Sequence, residues 1–456
     1  MKKFDVVVAG GGPSGVIAGI AAARNGAKTI IVEAHGYLGG MLTAGGVGPM
    51  MSFHAGDKLV IAGIANEVID RLKSKGLSPG HMKDPIAYCA TITPFDSEGL
   101  KMELEEMALE AGCELLYHAV MTGAAVEQGK IQSITVFTKG GFMEIEGSVF
   151  IDATADAELA VQAGISTKYG RDADNLAQPM TMNARVYNVD TEKVKVYMRA
   201  NPSENFTEDL ATIDGAPRAA FEGCYALIKK AKEAGDFSYS REIVLCFETN
   251  NPGEYIINMS RIHGLSSIDP FDVTKAEIEG RRQIKETVSF LRKYVPGFEN
   301  CILIGTGPNI GVRESRKING NYKLTMKDLI ENKMFEDAVV MGGYPVDIHA
   351  PDGKEDVLYE SLKDGSWYSI PYRCMVADGA GNLIVTGRCI SATHEALGAV
   401  RTTPSCMALG QAAGTAAAMA FQNNVHVAKI DVPALRAKLV EQGAFLEEYS
   451  PDTAKK

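Results

Sequence analysis

The chain has 456 residues, 23% of them charged and 46% hydrophobic, with a formal net charge of −11 at pH 7. That length suggests two or three compact units, and the acidity argues against a nucleic-acid-binding face. No run of about eighteen apolar residues offers a membrane span. The eight cysteines are scattered with no C-x-x-C pair, the usage of a reduced cytoplasmic chain without a zinc or iron–sulfur site.

In chain order, Phe4 to Ala9 is a short apolar, β-branched run. It enters a Gly-rich turn directly, so it reads as a strand and not as a leader peptide. GGGPSG follows at 10–15, then "VIAGIAAARNGAK", an Ala-rich helix that Gly26 would stop. "TIIVEA" is a second buried strand ending in Glu33, which completes a βαβ unit. Residues 97–111 read as an amphipathic helix, with Leu100, Leu104 and Met107 on one face and Gly112 as its stop. Residues 114–151 alternate apolar and polar through several short runs, which suggests a small antiparallel meander ending in a buried strand. From about 166 to 300 the pattern changes. Strand-like "TMNARVYNV" and "EYIINMSRI" alternate with charged helices such as "KAEIEGRRQIKETVSFLRKYV". "NLIVTG", 382–387, is again a short buried strand meeting a Gly turn, so the first core resumes near the end of the chain.

The expected architecture is therefore α/β. A Rossmann-like domain (parallel sheet plus small meander) is built from 1–165 and 301–425, an α+β cap or substrate domain is inserted at 166–300, and 426–456 forms a helical tail. The last residues, "SPDTAKK", are expected to be disordered.

Gly10-x-Gly12-x-x-Gly15 has the dinucleotide spacing. The first Gly makes a tight turn, the second admits a pyrophosphate, and the third lets helix and strand pack closely. Glu33 lies eighteen residues after Gly15, where a carboxylate would accept the ribose hydroxyls. "YLGGMLTAGGVG", 37–48, adds Gly39, Gly40, Gly45 and Gly46 directly after that acid. NAD needs no such loop, whereas the longer FAD needs a second backbone surface beside its ring, so the spacing favours FAD over a plain Gly-rich loop.

These motifs, with "FIDATADAELAVQAG", "GVRESRKINGNY" and "TGRCISATHEALGAVRTTPSCMALGQAAG", resemble the glutathione-reductase-type FAD flavoproteins. The similarity runs nearly end to end, in the branch shared with the fumarate reductase and succinate dehydrogenase flavoprotein subunits. The resemblance implies an FAD-dependent oxidoreductase that transfers hydride between flavin N5 and a small polar or anionic substrate. Alternatives are one flavoprotein subunit of an electron-transfer complex, or a flavin-binding protein without turnover. It also leaves room for a homo-oligomer or an electron-transfer partner. Besides the glycines and Glu33, it assigns to FAD the residues Pro13, Ser14, Ala34, Met41, Thr43, Ala44 and Val120. It adds Ala153, Thr154, Ala155 and Asp156, then Gly387, Arg388, Ala399, Pro404, Cys406 and Met407. Ala155 stands where the family motif has Gly, which restricts φ there. Asp152 and Asp156 either reach the cofactor or cap the helix that follows.

The C-terminal stretch carries the candidate chemistry. Thr402 or Thr403 would cap a helix with Pro404 in its first turn, and Gly410, Ala413, Gly414 and Ala417 form a small-residue stripe able to press on cofactor or sheet. The resemblance points that helix N-terminus at the flavin's pyrimidine edge, where a dipole stabilises the reduced ring. His394 and Arg401, seven apart, would share a helix face. His394 is the candidate acid–base or orienting residue, against a histidine satisfied by backbone carbonyls. Arg401 would bind a carboxylate or the flavin carbonyl. Arg313 either binds a substrate carboxylate or pairs internally with Glu314, and Arg316 is expected in an Arg–Glu pair. His349, in "YPVDIHA", either touches substrate or is a core histidine, and 331–380 would line the substrate cavity. Cys406 is expected to have a lowered pKa at the helix N-terminus, with a small packing residue as the plainer reading. The resemblance implies FAD held noncovalently, because the His that carries flavin in the fumarate-reductase relatives has no counterpart at the start of "GGMLTAGG".

Overall fold

The computed structural model describes residues 2–204, 214–353, 357–363, 365–379 and 381–450. Strand β1 (Lys2–Ala9) and helix α1 (Pro13–Arg24) lead to β2 (Thr29–Val32), helix α2 (Ser97–Glu110) and β3 (Glu114–Leu116). Then come β4 (Val120–Glu127), β5 (Lys130–Thr138) and β6 (Gly141–Asp152). Val6, Val7 and Val8 of β1 are fully buried, as suits a stiff β-branched strand covered on both faces.

The main sheet runs β3-β2-β1-β6-β5-β4. The pairs β3–β2, β2–β1 and β1–β6 are parallel. β3 therefore stands outside the expected meander. It follows α2 and completes a helical crossover to β2, the connection a parallel strand requires. Only β4, β5 and the first half of β6 are antiparallel. The second half of β6 pairs with β1 on one side and, on the other, with the strand Leu383–Val385.

The inserted region has its own five-stranded antiparallel sheet. Its strands are β7 (Ala184–Tyr187), β8 (Ala220–Gly223), β9 (Val244–Glu248), β10 (Tyr255–Ile257) and β11 (Ile302–Thr306), in the order β8-β9-β10-β7-β11. Helix α3 (Pro270–Tyr294) starts upstream of the charged stretch that signals it. Asp269 caps it by accepting the N–H groups of Phe271 and Asp272, and Pro270 suits the first turn. Phe221, Tyr255, Phe298 and Met182 build a core separate from that of the main sheet.

The chain returns through β12 (Val346–His349) and β13 (Leu383–Val385), then helices α4 (His394–Val400) and α5 (Thr403–Asn423). The tail contains a helix at Val432–Glu441, and residues 451–456, expected to be disordered, lie outside the described residues.

Candidate active site

Four parallel strands end level with one another. Ala9 is opposite both Val32 and Asp152, and Asp152 is opposite Val385. The loops after them therefore meet at the carboxyl edge of the sheet, where open α/β sheets take their ligands. Gly10 has φ +98°, and a Cβ there would stand 2.5 Å from Ala153 O. Gly15 lies so close to Gly10 O that a Cβ would overlap it. Gly12, by contrast, faces space toward Gly40, 4.0 Å from the nearest atom a Cβ would meet. It is the N-cap of α1, and neither a capping side chain nor an acid occupies that first turn. Its amides are thus free of competing protein acceptors, which fits a pyrophosphate. Glu33 is buried, accepts Gly11 N–H at 2.7 Å and His35 N–H at 2.8 Å, and lies 2.7 Å from His35 Nδ1. Its hydrogen bond holds the His35 pKa above the usual value. Ala34 is exposed just beyond, and Val120, 49% exposed, follows Ala119, whose N–H donates to Glu33 O.

The loop after Glu33 folds back on the same turn. Gly39 N–H donates to Gly11 O at 2.9 Å, and Gly39 and Gly40 both have positive φ. Thr43 Oγ1 donates to Leu38 O, and the Met41 side chain covers Gly45. The far side of this loop is tied to the segment after β11. Asn309 N–H donates to Ala44 O, and Gly307 packs on the Gly45 carbonyl. The extended Gly surface thus runs from the βαβ turn to the segment after β11. Buried Thr386 Oγ1 and Asn183 Oδ1, without hydrogen-bond partners, lie along it.

Ala155 takes φ +70°, the conformation that glycine would adopt freely. Its carbonyl accepts Arg388 Nε at 2.9 Å and Ser315 Oγ at 3.2 Å. Arg388 also donates to Val312 O and Asp156 Oδ1, both at 2.8 Å. Asp156 further accepts Ser315 Oγ, so it is a tie between segments and not a helix cap. Asp152, fully buried, accepts the N–H and Oγ1–H of Thr154 and the N–H of Ala160.

Gly387 has φ +76° and packs on Ser14 Oγ. Thr402 is the N-cap of α5, without a side-chain cap bond, and Pro404 lies in the first turn. The small-residue stripe packs on a helix: Gly410 meets Ser14 O and Gly414 meets Ala18 O of α1. Ala399, Pro404 and Met407 are buried around this junction. The expected lowering of the Cys406 pKa is corrected. Burial pushes its thiol up to about 12, outweighing the helix terminus and the charges of Arg388 and Arg401, and Sγ points at Arg401 O.

His394 opens α4 and Arg401 closes it. His394 is not satisfied by carbonyls. Its Nδ1 lies 2.6 Å from Glu314 Oε2, whose other oxygen pairs with Lys317. Glu314 thus takes Lys317 and His394 where an Arg–Glu pair was expected, while Arg316 Nε donates to Asp156 O. Arg313 donates to Pro179 O and Thr181 Oγ1. Arg401 Nη2 reaches Gln178 Oε1 at 3.3 Å and lies 3.8 Å from Asp347 Oδ2. His349 Nε2 is 3.6 Å from the same Asp347 oxygen. Its pKa is driven well below the usual value by burial and then by the charges of Arg313, Arg261, Arg401 and Arg241. Burial and Arg401 bring Arg313 down to about 9. Tyr88 and Tyr344 also lie within the electrostatic reach of Asp347.

The structure therefore brings Arg313, His349 and Arg401 into one buried cluster and joins it to His394 through Gln178, whose N–H donates to Glu314 Oε2 at 3.1 Å. Gln178, Asp347, Lys317, Arg241 and Arg261 escaped the reading of the sequence. Asp347 was findable: it alternates with His349, so both point to one face of β12. Lys317 was also findable, at i+3 from Glu314.

No described helix is long and apolar enough to cross a membrane. Similar proteins include the thiamine thiazole synthase of Aeropyrum pernix, 30% identical over 138 residues, 29% of this chain and 44% of that protein. The thiamine thiazole synthase of Methanococcus aeolicus is 28% identical over 167 residues, 35% of this chain and 57% of that one. The chain spans about half the length of these curated relatives. Among solved structures, the L-proline dehydrogenase of P. horikoshii has a TM-score of 0.47 at 12% identity, covering 97% of this chain and 98% of that chain. A flavin-dependent brominase, Bmp2, has a TM-score of 0.49 at 12% identity, covering 96% and 83%. The model of the FAD dependent oxidoreductase family matches residues 5–439, nearly the whole chain, and the protein belongs to that family.

Proposed function

We propose that the protein is an oxidoreductase that transfers hydride between flavin N5 and a small anionic organic substrate held by Arg313 and Arg401. One observation carries this reading. Arg401 Nε, Asp347 Oδ1, His349 Nδ1 and Gln178 Nε2 are all buried, all in one cluster, and all without a hydrogen-bond partner. Each unsatisfied buried polar atom costs about 1–3 kcal/mol, so a cluster of them is explained by a ligand that completes it. The guanidinium groups suit a carboxylate, and neutral His349 with Asp347 suits a hydroxyl or amine beside it. Bound FAD would supply the two-electron acceptor or donor. His394, anchored at Nδ1, would take or give the proton at Nε2.

Oxidation of a C–H next to oxygen or nitrogen and reduction of an activated C=C both suit this arrangement. His394 and Arg401 at the two ends of one short helix leading into α5 support the fumarate reductase and succinate dehydrogenase branch. Anaerobic mixing of the FAD-loaded protein with small carboxylic acids, with neutral alcohols and uncharged amides as controls, tests the reading. An acid should bleach or restore the visible flavin band. Reaction with neutral compounds alone, or with none of the panel, sinks it.

A further inference from the structure

We propose that Glu314, clamped by Lys317, is a positioning residue that holds His394 with its proton on Nδ1 and leaves Nε2 as the proton-transfer atom. This rests on the reading of His394 as the acid–base group. Glu314 has no exposed surface and the Lys317 side chain is 2% exposed, so the three residues form a buried relay. Every acceptor position of the carboxylate in use faces a donor. Oε2 takes Gln178 N–H at 3.1 Å and lies 2.6 Å from His394 Nδ1, while Oε1 takes the Lys317 ammonium. Lys317 is fixed in turn by Gly170 O at 3.2 Å. An ionised carboxylate only accepts, so the Nδ1 it faces must carry the hydrogen. Burial alone would raise the Glu314 pKa, but the hydrogen bonds from His394 and Lys317 hold it below the usual range.

Lys317 alone would satisfy the charge of Glu314. The reach to His394, 80 residues away in the chain, is what a purely structural ion pair does not need. Gln178 adds a second link, because its side-chain oxygen accepts Arg401 while its N–H holds Glu314. Both ends of α4 are thereby set from one point. Among the described residues, His394 Nε2 has no hydrogen-bond partner.

The test is ring ¹⁵N NMR of histidine-labelled, FAD-loaded, full-length protein, with the His394 signals assigned by their loss in His394→Gln. The native ring should carry a proton on Nδ1. In Glu314→Gln the single carbonyl oxygen should go to Lys317, turning the amide NH₂ toward the ring. Nδ1 must then accept, and the proton should move to Nε2. Lys317→Arg should keep the native pattern. If Glu314→Gln does not fold, Glu314→Asp keeps the charge beside Lys317 but withdraws it from the ring, and the Nδ1 proton signal should again change. An unchanged ring in the folded variant overturns the proposal, as does a native ring protonated on Nε2 alone. With an acid that bleaches the flavin, Glu314→Gln should lower kcat about 10- to 100-fold with KM changed less than about twofold. An equal loss confined to KM also overturns it. Failure of the whole substrate panel strikes the proposed reaction and leaves the ring measurement to be judged alone.

Discussion

Cys406 shows how residue chemistry is decided by competing environments. A helix N-terminus lowers a thiol pKa, yet here burial dominates and pushes it to about 12. At pH 8 an alkylating reagent should leave Cys406 untouched in the native protein and label it after urea unfolding, as peptide mass mapping would read. Labelling of the native thiol would refute the burial argument. Arg401 and Arg313 are expected to matter through affinity. A charge-assisted hydrogen bond contributes about 1.5–3 kcal/mol, so Arg401→Gln should raise KM for an acid substrate roughly 10- to 100-fold while flavin content stays constant. Protons supply a third residue-scale test. Burial, with the neighbouring charges of His54 and Lys73, lowers His81 to about 4 in the folded chain. The unfolded ring takes its proton near pH 6.5. Stability from this group is therefore complete above pH 6.5 and is lost as pH falls toward 4, at up to about 1.4 kcal/mol per pH unit. Urea unfolding between pH 7.5 and 4.5 should show a shallower loss for His81→Gln than for the native protein. Parallel curves would contradict it.

At the scale of elements, the packing of α5 on α1 sets the cofactor end of the site. Gly410 and Gly414 let the two helices touch backbone to backbone, at Ser14 and Ala18. A methyl at Gly414 would overlap Ala18 O, so the helices must part. Gly414→Ala should lower stability by about 1–3 kcal/mol, the usual range for overpacking, and lower flavin content with it, because Ser14 sits in the first turn of α1. Native flavin content and an unshifted melting temperature would show that the contact is dispensable. The stripe was visible in the sequence, but its partner was not. Small residues at helical spacing announce a close approach without naming what approaches. The βαβ turn was legible because Gly10, Gly12, Gly15 and Glu33 form a local pattern that the dinucleotide itself dictates. β3 was misread because alternation over three residues cannot tell a parallel strand from an antiparallel one.

At the scale of the whole molecule, Arg388 joins the two halves. It bonds Ala155 O and Asp156 after β6 and Val312 O in the segment leaving the cap. Arg388→Met would remove the guanidinium from Val312 O and leave Ala155 O and Asp156 Oδ1 with only the Ser315 hydroxyl. It should cost about 1–3 kcal/mol, seen as a lower urea midpoint, and a variant as stable as the native chain would show the clamp to be ornamental. The cluster proposed to hold the substrate was the least legible part of the sequence. Gln178, Asp347, Arg313 and Arg401 come from four segments with no common spacing, and only the finished fold makes them neighbours.

The joining of β13 to β6 and of α5 to α1 also sets an order of events during synthesis. Gln422 Nε2 donates to Asn25 O, 397 residues earlier in the chain. The nucleotide-binding half thus leaves the ribosome with one flank of β6 unpaired and the roof of α1 missing, while the cap, with a core of its own, can close first. A nascent chain halted before Leu383 should hold a folded cap beside an open Rossmann half. Flavin capture would then be among the last steps of maturation, and the cofactor would act as a check that the whole chain has arrived.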